Sequence, residues 1–140
     1  MGFSTSAAFA IIGICIFVCI DILSGSFLPS LSDLNASYRS LERRVVEKIN
    51  TQIDIINISK TSGLPYNISI SVKNTGSTNL DVGDFTVMVN GIIVNYSYDK
   101  EFLYPCDIVN ISVNNLTYSG TNRVKVVTGN GVSDYETYTV

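Results

Sequence analysis

The sequence of 140 residues contains no histidine. Histidine is the commonest general base and metal ligand in proteins, so its absence removes most of the familiar hydrolase arrangements and most transition-metal sites. The sequence also lacks a glycine-rich phosphate loop after any segment that is typical of a strand. We therefore predict that the protein is not an enzyme, with no catalytic site, no metal site and no cofactor.

Basic residues are few, with 9 Lys and Arg against 12 Asp and Glu. The excess of acid lies in residues 51–140, and such a surface repels nucleic acid, which we exclude as a partner. Cysteine is also scarce: Cys15 and Cys19 lie in an apolar opening segment, and Cys106 stands alone after Pro105. A reactive thiol needs a neighbouring base. We expect Cys106 to be a buried structural thiol.

The opening segment, MGFSTSAAFAIIGICIFVCI, has no ionised side chain before Asp21. As a helix, residues 3–23 measure about 30 Å, which is enough to cross the hydrocarbon core of a bilayer. A secretory signal begins with Lys or Arg, and residues 1–20 contain neither. Of three possibilities, a cleaved signal, a permanent anchor and the packing helix of a filament subunit, we favour an anchor over residues 1–28. Asp21 is then placed at the membrane interface.

An apolar seam continues beyond the anchor in alternating steps of three and four residues, with Ser24 in one polar slot. This heptad spacing predicts an amphipathic stalk helix over residues 29–50. Pro29 is expected to kink the helix or to start a new turn after Ser24-Gly25-Ser26, so that two helical pieces are predicted. The stripe must pack against a second copy or against the chain's own β-domain, and we favour self-association. The residues of this apolar stripe are Phe17, Ile20, Phe27, Leu31, Leu34, Tyr38, Leu41 and Val45.

Beyond Ile49 the apolar period changes to two, most clearly in residues 66–72, where apolar and polar residues alternate. Asn90-Gly91 between two apolar arms predicts a hairpin, because both turn positions tolerate a positive φ. A second hairpin is predicted around residues 129–131. With residues 53–58 and 108–113, about seven short strands fall in residues 51–140. The pattern predicts a mainly β, immunoglobulin-like antiparallel sandwich.

Six asparagines lie in the glycosylation pattern N-x-S/T, and such acceptors belong to exported surfaces. The positive-inside rule does not decide the orientation, since the nearest cation after the anchor is Arg39. We therefore use these sequons to place residues 36–140 outside the membrane. The candidate acceptors are Asn35, Asn57, Asn67, Asn95, Asn110 and Asn115.

Two motifs of the β-domain, VKNTGSTNL at residues 72–80 and FTVMVNG at residues 85–91, follow the anchor and the stalk. This arrangement resembles archaeal flagellar protein F, an accessory protein family of the archaellum, over nearly the whole chain. The likeness extends more distantly to flagellar protein G, archaellins and type IV pilin-like proteins.

The resemblance implies a stator. Its helix would lie in the cytoplasmic membrane, and its sandwich would bind a surface-layer protein outside that membrane, with flagellar protein G as a partner. Processing in the pilin-like family needs a basic residue before the cleaved glycine, whereas Met1 precedes Gly2 here. This departure argues against cleavage and separates the chain from a filament-forming archaellin. An archaellin or pilin-like filament subunit that assembles through its N-terminal helix is the alternative.

Overall fold

The computed structural model describes the backbone of residues 2–140 and the side chains of residues 4–25 and 28–140. The chain forms two compact units, the first ending at Arg43 and the second spanning Arg44–Val140. The second unit therefore includes the last turns of the stalk helix, whereas the sequence places the domain boundary at residues 50 and 51.

The helical region consists of α1 (Gly2–Ile22), a π-helical turn (Leu23–Phe27) and α2 (Leu28–Asn50). The N–H of Leu28 donates to the carbonyl of Leu23, and both Ile22 and Leu28 have helical backbone angles. The two predicted helical pieces are thus present as α1 and α2, although the π-helical turn keeps the backbone helical between them. Proline lacks an N–H and crowds the carbonyl four residues before it, and a π-helical turn beside it accommodates both effects without ending the helix.

The apolar stripe of the stalk is exposed. No residue of α2 whose side chain the structure describes is buried. Phe17 and Ile20 are likewise exposed on α1, and Phe27 lies outside the described side chains. The exposed members on α2 are Leu31, Leu34, Tyr38, Leu41 and Val45.

The rest of the described chain forms ten strands. Their bounds are β1 Ile53–Lys60, β2 Tyr66–Asn74, β3 Leu80–Asp81, β4 Thr86–Val89, β5 Ile92–Ile93, β6 Ser97–Tyr98, β7 Phe102–Leu103, β8 Ile108–Leu116, β9 Thr121–Val127 and β10 Ser133–Thr139. The strands form two four-stranded antiparallel sheets, the first with the order β1-β2-β8-β6 and the second with β10-β9-β4-β5, and a two-stranded ribbon that pairs β3 with β7. The predicted fold class is confirmed.

The core lies between the two sheets and follows the two-residue period. Alternate residues of β2 and β8 point inward from the first sheet, and alternate residues of β4 and β9 meet them from the second. Fully burying each such side chain contributes about 1.5–3 kcal/mol. The inward set includes Ile68, Ile70, Val72, Val109, Ile111, Val113, Val87, Val89, Val124 and Val126.

Candidate functional site

The anchor helix carries its apolar side chains on its surface. Ile12, near the middle of α1, is 56% exposed, and Cys15 and Cys19 are exposed free thiols on the same helix. In the described chain, the helix that is long and apolar enough to cross a membrane begins at Ser4. Apolar side chains without a protein partner are stable in hydrocarbon rather than in water. The geometry is consistent with a single-pass anchor.

The end of α2 is held by a loop of the sandwich, and we call residues 50–52 together with residues 74–78 the joint. Ser77 N–H donates to the Asn50 carbonyl at 2.8 Å, and Gly76 N–H donates to the Gln52 carbonyl at 3.0 Å. A Cβ on Gly76 would collide with the Asn50 carbonyl oxygen, so the loop can approach this closely only because residue 76 is glycine. The helix end is thus fixed by backbone hydrogen bonds.

Asn74 organises the loop from inside. It is completely buried, and its side-chain amide donates to the carbonyls of Thr78 at 2.7 Å and Leu103 at 3.1 Å. Its side-chain oxygen accepts the Gly76 N–H at 3.0 Å. In the sequence this stretch stood out only as part of the motif at residues 72–80. A signal was present, because Asn74 continues the inward positions 66, 68, 70 and 72 of β2, where a polar residue needs partners.

The second sheet also contributes to this region. The Asn130 amide, in the turn between β9 and β10, donates to the Thr51 hydroxyl, and Thr128 Oγ1 contacts Asn130 Oδ1 at 2.6 Å. Thr51 in turn donates to the Glu47 carbonyl, in the last turns of α2, at 2.7 Å. Both sheets therefore hold the end of the helix.

Cys106 is exposed rather than buried. It has a φ of 66° in the turn in which Asp107 N–H donates to the Tyr104 carbonyl at 3.0 Å. The prediction of a buried thiol is wrong, because a left-handed residue at a tight turn lies at the surface.

The six sequons are all exposed, and four of them lie on strands of the first sheet. Asn35 lies on α2, and Asn95 lies between β5 and β6. The remaining acceptors are Asn57, Asn67, Asn110 and Asn115.

Asn110 has hydrogen-bond partners within the sheet. Its amide donates to Asp99 at 2.9 Å, and its side-chain oxygen accepts from Ser71 at 2.8 Å. Partial burial raises the pKa of Asp99, but the hydrogen bonds from Asn110 outweigh this and leave that pKa below its ordinary value.

The hydroxyls of two buried tyrosines, Tyr66 and Tyr138, are hydrogen-bonded to each other. Burial, followed by the hydrogen bond between the Tyr66 and Tyr138 hydroxyls at 3.0 Å, raises the pKa of Tyr138. In the residues that the structure describes, no cluster of three His, Cys, Asp or Glu side chains could hold a metal ion.

No family model matches the chain. The chain is 27% identical over 117 residues, covering 84% of it and 86% of the relative, to "Putative flagella-related protein F" of Methanococcus voltae. An uncharacterised protein of Archaeoglobus fulgidus is 44% identical over 55 residues, which are 39% of this chain and 34% of that protein.

Three solved structures share the fold. The periplasmic stator protein FlaG of the Sulfolobus acidocaldarius archaellum matches with a TM-score of 0.55 and 19% identity, covering 63% of this chain and 99% of its own. The FlaF and FlaG stator complex of the same organism also matches with a TM-score of 0.55 and 19% identity, covering 63% of this chain and 89% of the matched chain. The archaeal flagellum of Methanospirillum hungatei matches with a TM-score of 0.72 and 17% identity, covering 96% of this chain and 92% of the matched chain. The resemblance seen in the sequence is thus confirmed: a relative named as a flagella-related protein F matches most of the chain, and the three solved structures above, which share its fold, are of archaellum proteins.

Proposed function

We propose that this chain is a membrane-anchored stator or scaffold component of the archaellum. The observation that carries the proposal is the sequence relation to a flagella-related protein F across 84% of the chain. Two solved neighbours of the sandwich are named as stator proteins. A stator must resist extraction and must transmit force without deforming, and the anchor and the joint supply these two properties.

We place the chain in the cytoplasmic membrane as a single-pass protein, with its C-terminal domain between that membrane and the surface layer. The long apolar helix from Ser4 supports the anchor, because inserting about 20 apolar residues is effectively irreversible. The exposed sequons support the external position of the domain.

Force would pass through the joint. Ser77 and Gly76 bind the last residues of the helix through backbone hydrogen bonds, and the sandwich behind them is tied together by long strand ladders. Shearing such ladders requires many hydrogen bonds to break together, so a sideways load on the domain reaches the helix.

Two protein partners follow from this function. A surface-layer protein is the stationary structure that the domain would bind. A protein G is the second partner, since the related FlaF and FlaG were solved as one complex. The exposed α2 stripe, with Leu34 and Leu41 at its centre, supports self-association through the stalk.

Retention on isolated surface-layer lattice tests the stator proposal. The full chain, in detergent micelles, is passed over immobilised lattice beside a control protein that carries the same α1 and α2 on an unrelated β-sandwich. We expect the full chain to be retained and the control to pass through. Equal retention of the two proteins would contradict binding by this domain.

A filament subunit is the second candidate. The likeness to the Methanospirillum hungatei flagellum supports it, because the match covers 96% of this chain and so includes most of the helical region. Intact-mass measurement of the native protein, with fractionation of sheared filaments, separates the two candidates. A stator keeps its anchor and stays with membranes at low copy number, whereas a filament subunit is trimmed and polymerised. The same masses count any glycans.

A further inference from the structure

The two sheets present outer faces of different chemistry. On the first sheet, Asn57, Ser71 and Asn110 lie in one row across β1, β2 and β8, since directly paired residues share a face. Ser69 and Ser112 form the neighbouring row. This face is built largely from serine and asparagine, and four of the sequons lie on its strands.

The outer face of the second sheet is basic, aromatic and apolar. One row runs Ile93, Met88, Lys125 and Tyr135 across β5, β4, β9 and β10. Arg123 lies beside this row and places its guanidinium 5.1 Å from the centre of the Tyr135 ring. We call these five residues the basic–aromatic face. The strands that form it contain no sequon.

No carboxylate shares this face among the residues the structure describes. On β10, Asp134 and Glu136 alternate with Tyr135 and so point to the opposite side of the strand, where Asp134 accepts the Ile55 N–H at 2.8 Å. The salt bridge found in the described chain joins Lys100 to Asp107 and lies elsewhere. Arg123 and Lys125 therefore form a positive patch on a domain whose overall charge is negative.

We propose that the basic–aromatic face is a docking surface for an acidic surface of a partner protein. Arg, Tyr and Met are among the residue types enriched in protein interfaces, and all three are present on this face. Because they project from a sheet, no backbone segment has to become ordered when a partner binds. The charge of the face selects an acidic partner and steers its approach. Ile93, which is 67% exposed, and Tyr135, which is 59% exposed, supply apolar area to bury.

An anionic membrane fits the face less well. Recognition of lipid headgroups uses clusters of roughly four to eight basic residues, whereas this face offers Arg123 and Lys125. The sequon-bearing face of the first sheet is the side on which glycans would sit, so the second sheet remains open for a protein. This inference rests on the proposed function in one respect: a stator needs a stationary protein to hold.

Oxidative footprinting of the native protein tests the docking face. Met88 and Tyr135 are oxidised by hydroxyl radicals in intact cell envelopes and again in detergent-released protein, and Tyr104, which is 53% exposed, serves as the matched reference. With about nine-tenths of the molecules bound, we expect oxidation of Tyr135 to be about tenfold slower in envelopes, with Tyr104 unchanged. Salt at about 1 M shortens the screening length to about 3 Å and should abolish the protection.

Charge reversal makes the test specific. The double variant Arg123→Glu with Lys125→Glu should lose the protection in envelopes, and Lys73→Glu, on the outer face of the first sheet, should keep it. Should the double reversal disturb folding, as judged by circular dichroism, Arg123→Gln with Lys125→Gln replaces it. Equal oxidation of Tyr135 in envelopes and in detergent, or protection that survives these substitutions, would overturn the proposal.

Further samples identify what covers the face. Protection in vesicles of anionic lipid, or of the purified chain alone at high density, would also overturn the proposal, because lipid or a second copy would then be the occupant. Envelopes stripped of their surface layer separate this inference from the proposed function. Protection that persists there supports an acidic partner other than the lattice and contradicts lattice binding, whereas protection that disappears supports both.

Discussion

The amide of Asn74 determines whether the joint holds. Substitution with alanine would remove the donors to the carbonyls of Thr78 and Leu103, and it would leave the Gly76 N–H with the Gln52 carbonyl as its acceptor. Each hydrogen bond lost in a buried setting costs about 1 kcal/mol, and the loss of one shared acceptor costs less, so Asn74→Ala should destabilise the domain by about 2–3 kcal/mol. In a unit of this size that loss lowers the midpoint of thermal unfolding by about 15 °C.

Thermal unfolding of the full chain in detergent, followed by the near-ultraviolet circular dichroism of its tyrosines, measures this loss. Asn79→Ala is the matched control, since Asn79 lies in the same loop and is exposed, and it should change stability by no more than about 0.5 kcal/mol. Asn74→Asp keeps the shape and the oxygen that accepts from Gly76, but it removes both donors, so it should cost at least as much as alanine. A midpoint for Asn74→Ala equal to that of Asn79→Ala would refute the reasoning.

Three further results are expected. Burial, followed by the hydrogen bond with Tyr66, raises the pKa of Tyr138 above the value of about 10 for an unfolded tyrosine, so its contribution to stability is complete below about pH 10 and falls as the pH rises further. In urea unfolding above about pH 10, the free energy of unfolding of Tyr138→Phe should therefore fall less steeply with pH than that of the parent chain, and an identical fall in the two proteins would contradict this. Ile12→Arg places a charge near the middle of the anchor at a cost of about 2.5–3.5 kcal/mol and should reduce the fraction that resists alkaline extraction from membranes, whereas Ser4→Arg, at the end of the span, should not. Leu41→Asp places a charge in the exposed apolar stripe of α2 and should abolish self-association in analytical ultracentrifugation, whereas Ala36→Asp, on the opposite side of α2, should leave it intact. A monomeric parent chain would contradict self-association through this stripe.

The strands could be predicted because they follow the two-residue period over enough positions. Tyr66, Ile68, Ile70 and Val72 are all buried, as their alternation with polar residues predicts. The Asn90-Gly91 turn has φ values of 52° and 83°, which is the geometry that this residue pair favours. The strands β3, β6 and β7 have two residues each, and no periodicity can be detected at that length.

What the sequence did not predict arose where a local rule met a context that the sequence does not display. Pro29 predicts an interruption of the regular helix, but it does not predict that a π-helical turn, ending two residues before it at Phe27, keeps the backbone helical. Cys106 belongs to a residue type that is usually buried, but the turn after Pro105 puts it at the surface.

The basic–aromatic face could not be predicted from sequence alone. Met88, Lys125 and Tyr135 are neighbours only through the register of three strands, and that register depends on long-range pairing. Each residue viewed singly is an ordinary member of an alternating strand. The sequons, by contrast, could be located beforehand, and only their concentration on the first sheet required the structure.

The contact between Asp134 and the Ile55 backbone affects how copies of the molecule behave at high local concentration. Unpaired N–H groups on an outermost strand invite strands of neighbouring molecules to add on, and growth of that kind ends in insoluble fibres. Here a carboxylate occupies one such group, and the irregularity between Ile55 and Asn57 bends the strand away from a straight template. A strand from another molecule would first have to displace the carboxylate, so this edge of the domain resists strand addition by other copies of the chain.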